Sequence, residues 1–509
     1  MTLNDITIGD FSFGDVDGSS ESREPSFSEL FYEGSIEENS YVEQLLTKKK
    51  FIIHGRKGTG KTLLAAYFRT QVSKDGINIS KVVSYGEYIY EKLKEFRYED
   101  VKKEEQTLFW KYVFLQQFVE LIQEQSYQIP FWNVFDKIRI KQLYSETQKQ
   151  FLEVQQFSEE YHSQNKLNSS LTAKNGLGAE VSSEQLEEQK TRLTHQQSAY
   201  FKKYKEIESR VLDFFSKSKV TYTIFFDDMD RLSEMMDDRN YFEYLMISMI
   251  YGAQELNRVI PGNSKIVLLL RSDVLKLLFG KSGDINKIIT SGGIELLWYK
   301  SNAKVRQNPL ISMILHKMGK SLTQKLSAEE VRERFFPKKD TVFRYMLSRS
   351  FGRPRDIVSF LNIYKSTYPS DRRITLHHLK SVEDEYSEWF YREIENELVL
   401  TGRYFELEKV LAYISEFGKD EFVFEEMLCF IDQRDEVFDN LLDSLSILVK
   451  LGALGIKLGT GNIEFYYRPY NIYKAVNEHT RFVVHYGLRR ILSISIARDN
   501  SNEVNAVYL

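Results

Sequence analysis

The stretch Phe51-Ile-Ile-His-Gly-Arg-Lys-Gly-Thr-Gly-Lys-Thr-Leu-Leu-Ala65 decides the fold. A short apolar strand runs into a glycine loop, then Lys61-Thr62, then a helix. Gly55 to Thr62 fits G-x-x-x-x-G-K-[ST], a phosphate-binding loop. Gly55, Gly58 and Gly60 let the backbone take conformations that a Cβ would block, so that its N–H groups converge on an anion. Arg56, Lys57, Thr59 and Leu63 complete the expected cradle. The helix starting near Lys61 adds the positive end of its dipole. Lys61 is expected on the β- and γ-phosphates of a nucleoside triphosphate, and the Thr62 hydroxyl on Mg²⁺.

The chain has 509 residues, a formal net charge of −4 and 28% charged residues. That length suits roughly two to four domains. The charge balance exerts no global pull toward nucleic acid or membrane. The single cysteine, Cys429, lies in the apolar run Phe422–Ile431. It excludes an intrachain disulfide or a Cys-rich zinc site and points to a core position. The acidic start MTLNDITIGDFSFGD does not read as a signal peptide. No run nears the ~18 apolar residues of a membrane span. The expected localisation is the cytoplasm, with no membrane partner.

Residues 1–47 are acidic yet carry Phe11, Phe13, Phe27, Phe31 and Tyr32. They read as an irregular arm that docks by its aromatics onto the next domain. Residues 48–300 read as an α/β core. Strands are expected at Phe51–His54, Ile79–Tyr85, Thr221–Phe226, Lys265–Leu270 and Gly293–Trp298. They are short and apolar throughout, as strands buried on both faces of a parallel sheet are, and helices between them imply a doubly wound sheet. A helical insertion at about 130–216 interrupts the core. Residues 134–163 and 185–216 read as long polar helices around the loop Gln164–Gln185. A solvated hairpin and a partner-binding arm explain it equally well. Residues 301–380 read as a helical lid closing on Phe351-Gly-Arg-Pro-Arg-Asp356. Residues 381–509 read as a winged-helix-like domain. There an amphipathic helix, Phe438–Lys450, precedes a strand, the turn Gly459-Thr-Gly-Asn462 and a second strand within Leu451–Pro469.

The segment Thr221-Tyr-Thr-Ile-Phe-Phe-Asp-Asp-Met-Asp-Arg231 delivers two carboxylates at the C-terminal end of an apolar strand, where ligands of α/β sheets sit. Asp227 is placed to hold Mg²⁺ together with Thr62. Asp228 is placed to accept a proton from the attacking water. A solvated loop start is the plainer reading, and the glycine loop weighs against it. Asp230 and Arg231 read as a helix cap and a mutual pair. Arg271, ending the strand Ile266–Leu270, suits γ-phosphate sensing, with a salt bridge to Asp273 as the alternative. Arg355, opening a helix after Gly352-Arg-Pro354, could reach the nucleotide once a lid closes, with a surface arginine as the alternative.

These motifs resemble a family. HGRKGTGKT, FFDDMDR, LLLRSD and FGRPRDIVSFLN are similar to an uncharacterised bacterial ATPase family. It belongs to the P-loop NTPase branch that joins AAA+ initiator-like, STAND and KAP NTPases. The resemblance covers most of residues 10–380. It implies a five-stranded parallel core sheet with a winged helix after the lid, and ATP as the nucleotide. It implies that Arg271 is a first sensor, that Pro354 lines the nucleotide and that Arg355 is a second sensor. The pattern around Gly352–Arg355 mixes STAND and AAA+ forms. No arginine finger stands out in the sequence, and Arg306 and Arg344 are guesses for one.

The leading expectation is therefore a Mg²⁺-dependent ATPase switch. Its nucleotide state would control the lid, the C-terminal domain and assembly as a homo-oligomer or with a partner protein. Relatives in phage-defence loci suggest antiviral defence. A slow nucleotide-gated scaffold is one alternative and a DNA-binding regulator another. The helix around Asp435–Lys450 disfavours DNA, because Asp435, Glu436, Asp439 and Asp443 face Lys450 as the sole cation. A kinase would need an acceptor pocket with its own base, and no motif supplies one.

Overall fold

Five segments pair as parallel strands: β1 (Ile52–Gly55), β2 (Asn78–Ser84), β3 (Thr221–Asp227), β4 (Lys265–Arg271) and β5 (Gly293–Glu295). Their order in the sheet is β2-β3-β4-β1-β5. The structure is a computed structural model. It describes residues 5–34, 40–73, 77–84, 90, 103–124, 135, 137–151, 204–236, 238–298, 305–399, 401–434, 438–466 and 476–494. Register aligns Gly55 with Arg271, Phe226 with Leu268 and Ser84 with Asp227. The ends of β1, β3 and β4 thus share the C-terminal edge, where a doubly wound sheet binds ligands.

Every residue of β4 is buried, and so is all of β3 after Thr221. That is why these strands read as continuous apolar runs rather than alternating ones. Lys265 and Arg271, at its two ends, are the exceptions in β4. The Lys265 ammonium donates to the carbonyls of Leu45, Thr47 and Lys50, which gives it partners inside the core. Helices α1 (Lys61–Val72), α2 (Lys103–Glu124) and α3 (Arg239–Val259) flank the strands in sequence. Helix α2 packs on α3, and the Trp110 indole donates to the Leu245 carbonyl at 2.8 Å. The last expected strand is shorter than its sequence suggests: it ends at Glu295 rather than Trp298. Of the insertion, residues 137–151 and 204–217 are helical, and the loop Gln164–Gln185 lies outside the described residues.

The chain forms two units. One holds Tyr41–Gly55 and Leu64–Glu295, with the parallel sheet. The other holds Met1–Ser40, Arg56–Leu63 and Leu296–Leu509. In this second unit a single apolar cluster joins α4 (Pro309–Ser321), α5 (Pro354–Thr367), α6 (Glu383–Val399), α7 (Tyr404–Phe417), α8 (Phe424–Asp432) and α9 (Leu441–Leu451). The segments expected as lid and C-terminal domain thus share one core. The N-terminal arm joins it too. Phe11 meets Phe335 edge-on at 4.8 Å, Phe13 is buried, and Asn362 donates to the Gly14 carbonyl at 3.0 Å. The arm's aromatics therefore dock on the lid helices instead of the domain that follows them in sequence.

After α7, the order is β6 (Glu421–Val423), α8, α9, β7 (Leu454–Lys457), β8 (Ile463–Glu464) and β9 (Arg481–Val484). These strands form an antiparallel sheet in the order β6-β9-β7-β8. Helix α9 begins at Leu441, later than Phe438, because Asn440 takes φ +62° and breaks helical continuity. Asp439 therefore precedes the helix, while Asp435, Glu436 and Arg468 lie outside the described residues. Cys429 is exposed, not buried. Met427 and Ile431, four positions apart on α8, face the core, and Cys429 lies between them on the other side. Among the described residues no helix is long and apolar enough to cross a membrane.

Candidate functional site

The loop after β1 has the backbone that its glycines permit. Gly58 takes φ +82° and Gly60 φ +92°, and α1 begins at Lys61. A Cβ on Gly60 would meet nothing within 4 Å. The loop is open there, as a cradle for an anion must be. A Cβ on Gly58 would stand 3.0 Å from the Arg355 Cβ and 3.3 Å from its Cδ. Gly58→Ala should therefore lower unfolding stability by about 1–3 kcal/mol. Gly352, at φ +69° with nothing within 4 Å of a Cβ, is the control for backbone strain alone. Denaturant unfolding should show the larger loss for Gly58→Ala.

The loop is held by its own side chains and by the unit around it. Thr59 Oγ1 donates to the Arg56 carbonyl at 2.8 Å, and Lys61 Nζ donates to the same oxygen at 3.2 Å. The Trp298 indole donates to the Thr59 carbonyl at 2.8 Å. Arg353 Nη1 donates to the Lys57 carbonyl at 3.2 Å. A Cβ on Gly18, in the N-terminal arm, would stand 3.3 Å from Leu63 Cγ and 3.7 Å from Thr62 Cβ. Arg355, expected to reach the nucleotide on lid closure, already lies on Gly58. Its N–H donates to the Gly58 carbonyl at 3.4 Å and its guanidinium to Glu393 at 3.3 Å.

Arg353 sits beside Arg355 and drew no role from the sequence. It is 1% exposed and paired with the fully buried Asp356 at 2.8 Å. Burial pushes the Asp356 carboxyl above its ordinary pKa, against the pull of Arg353. Asp356 also accepts from the Phe351 N–H at 2.7 Å, which fixes the turn before α5, and Pro354 occupies the first position of that helix. A buried arginine between Gly352 and Pro354 has no sequence signal beyond its spacing of three from Asp356.

In the unit with the sheet, β3 ends on the expected carboxylates. Asp227 is 4% exposed and accepts from the Asp228 N–H at 2.9 Å. Asp228 turns left-handed at φ +60°, and Ser84 Oγ donates to its Oδ2 at 2.8 Å. Asp230 does not pair with Arg231: it accepts from Arg271 at 3.3 Å, and Arg231 lies 4.0 Å from Asp228. Arg271 is 8% exposed and is also gripped by Asp273 at 2.6 and 3.1 Å, the salt bridge that competed with the sensor reading. Arg306 pairs with Asp340 at 3.1 Å. Among the described residues no three or more His, Cys, Asp or Glu side chains gather to hold a metal ion.

Residues 308–395 match the family of the FunZ-associated C-terminal helical domain. That segment spans α4 to α6. A solved structure of the Aeropyrum pernix ORC1 protein in complex with DNA is similar at 11% identity, with a TM-score of 0.37. The match covers 92% of this chain and 94% of that one. No curated protein sequence matches the chain.

Proposed function

We propose that this protein is a Mg²⁺-dependent ATP-binding and ATP-hydrolysing switch. One observation carries the reading. A strand of a parallel sheet ends in a glycine loop with two left-handed glycines, and a twelve-residue helix opens on Lys61. Loop N–H groups and the helix dipole favour the phosphates there, and Lys61 supplies a compact positive charge. Thr62 and Asp227 offer the hard oxygen donors that suit Mg²⁺, which binds through one or two protein groups besides phosphates. When bound, Mg²⁺ would neutralise charge on the phosphate oxygens. Asp228, partly exposed beside its Ser84 donor, accepts the proton of the attacking water. Arg271 and Arg355 stabilise the charge that builds on the γ-phosphate.

The C-terminal segment supports a winged helix. Three helices and strands in the order α7-β6-α8-α9-β7, with β9 pairing between β6 and β7, are what that motif requires. Its use on DNA is not favoured, because α9 and the turn before it carry Asp439 and Asp443 against Lys450 as the sole cation. The resemblance to STAND switches extends the proposal to antiviral defence, which neighbouring genes would test. The direct experiment is size-exclusion chromatography of the full chain with Mg²⁺, with and without a non-hydrolysable ATP analogue, beside phosphate release from ATP. A shift in assembly with measurable turnover is expected. Absence of both analogue binding and turnover would overturn the proposal.

A further inference from the structure

The phosphate loop makes a second set of contacts that holding a phosphate does not require. Arg56 reaches α6 and the end of α9. Its Nη2 donates to Glu397 Oε2 at 3.0 Å and to the Leu451 carbonyl at 3.1 Å. Leu451 ends α9, and its carbonyl is one that the helix leaves unpaired at its negative pole. The other oxygen of Glu397 accepts from Arg353 at 3.1 Å. One turn earlier on α6, Glu393 accepts from Arg355 at 3.3 Å. Burial raises the Glu393 carboxyl, but Arg353, Arg355 and Lys57 outweigh it and hold the group below its ordinary pKa. Two mostly buried carboxylates of α6 thus meet Arg56 of the loop and the two arginines, Arg353 and Arg355, that lie on it.

We propose that Glu393 and Glu397 act as an internal competitor for phosphate. They hold Arg56 of the loop together with Arg353 and Arg355, and Arg56 in turn tethers the loop to the end of α9. This rests on the nucleotide-binding reading above. A triphosphate brings like charge into the same enclosed surroundings, where repulsion is weakly screened. Binding then draws Arg56 from Glu397 and from the Leu451 carbonyl. The end of α9 and the following strand β7 are released, so phosphate occupancy is reported to the C-terminal sheet by one side chain.

The test uses the full chain with Mg²⁺ and a non-hydrolysable ATP analogue. Calorimetry should show Glu397→Gln binding the analogue about tenfold more tightly than wild type, a coupling of ordinary allosteric size. Glu393→Gln should shift affinity the same way. In the wild type, saturation should speed amide hydrogen exchange across residues 449–456. Equal or weaker affinity in the two variants would overturn the proposal, because the carboxylates would then only position the arginines. Should Glu397→Gln not fold, Glu393→Gln and the wild-type exchange decide, and unchanged exchange at the end of α9 overturns the tether. Failure of the wild type to bind any analogue is a different result: it removes the nucleotide reading itself, and this proposal with it.

Discussion

Lys61→Ala abolishes nucleotide binding, with the dissociation constant of a non-hydrolysable ATP analogue rising by about a hundredfold or more. The residue is the first of α1 and only 9% exposed, so its ammonium works in enclosed surroundings. Truncating one partner of a desolvated charge pair costs roughly 2–5 kcal/mol. Every 1.4 kcal/mol is about a factor of ten in affinity. The loop itself should survive. The Arg56 carbonyl loses its 3.2 Å bond from Lys61 but keeps the 2.8 Å bond from Thr59, and Trp298 and Arg353 still hold the backbone. The variant should therefore unfold within about 1 kcal/mol of wild type without nucleotide, the usual net worth of the one hydrogen bond it loses. Isothermal titration calorimetry beside denaturant unfolding separates the two effects. Wild-type affinity in Lys61→Ala would reduce the loop to a structural turn.

The loop and the sheet were legible because their signals are local. Buried parallel strands are apolar without alternation, and β3 and β4 are buried along nearly their whole length. Glycines that need φ above zero announce themselves, as Gly58 and Gly60 do. The missed residues have no such mark. Glu393 and Glu397 look like any acidic pair on a helix surface, and only tertiary packing brings Arg56, Arg353 and Arg355 against them. Strands β6 and β9 escaped because each is short and pairs with a segment far away in sequence. The aromatic and β-branched run Phe482-Val-Val484 was the available hint. Cys429 misled because an apolar run does not say which face of a helix is turned inward. The arm's aromatics announced docking, but composition carries no information on which surface receives them.

Asp228→Asn stops turnover while leaving ATP bound. The fall expected is about 10²–10⁴-fold, the usual contribution of a positioned proton acceptor. The structure makes this substitution unusually clean. Asp228 stands at φ +60°, a conformation that Asn tolerates and most residues resist. Its backbone N–H stays bound to the Asp227 carboxylate at 2.9 Å. The Ser84 hydroxyl, now 2.8 Å from Oδ2, finds an equivalent acceptor in the Asn carbonyl. Shape and hydrogen bonding persist, while the negative charge, and with it the capacity to take a proton, is lost. Asp228→Ala would be a poorer test, because it adds left-handed strain of about 1–3 kcal/mol to the chemical change. Ser84→Ala provides the complement. It removes the donor that orients the carboxylate, so turnover should fall by about tenfold, the low end for a hydrogen bond to a charged group. Single-turnover phosphate release, with analogue affinity measured in parallel, distinguishes the two roles. If Asp228→Asn turns over at the wild-type rate, the base is another group. Asp230 would not take its place while Arg271 ties down its carboxylate at 3.3 Å.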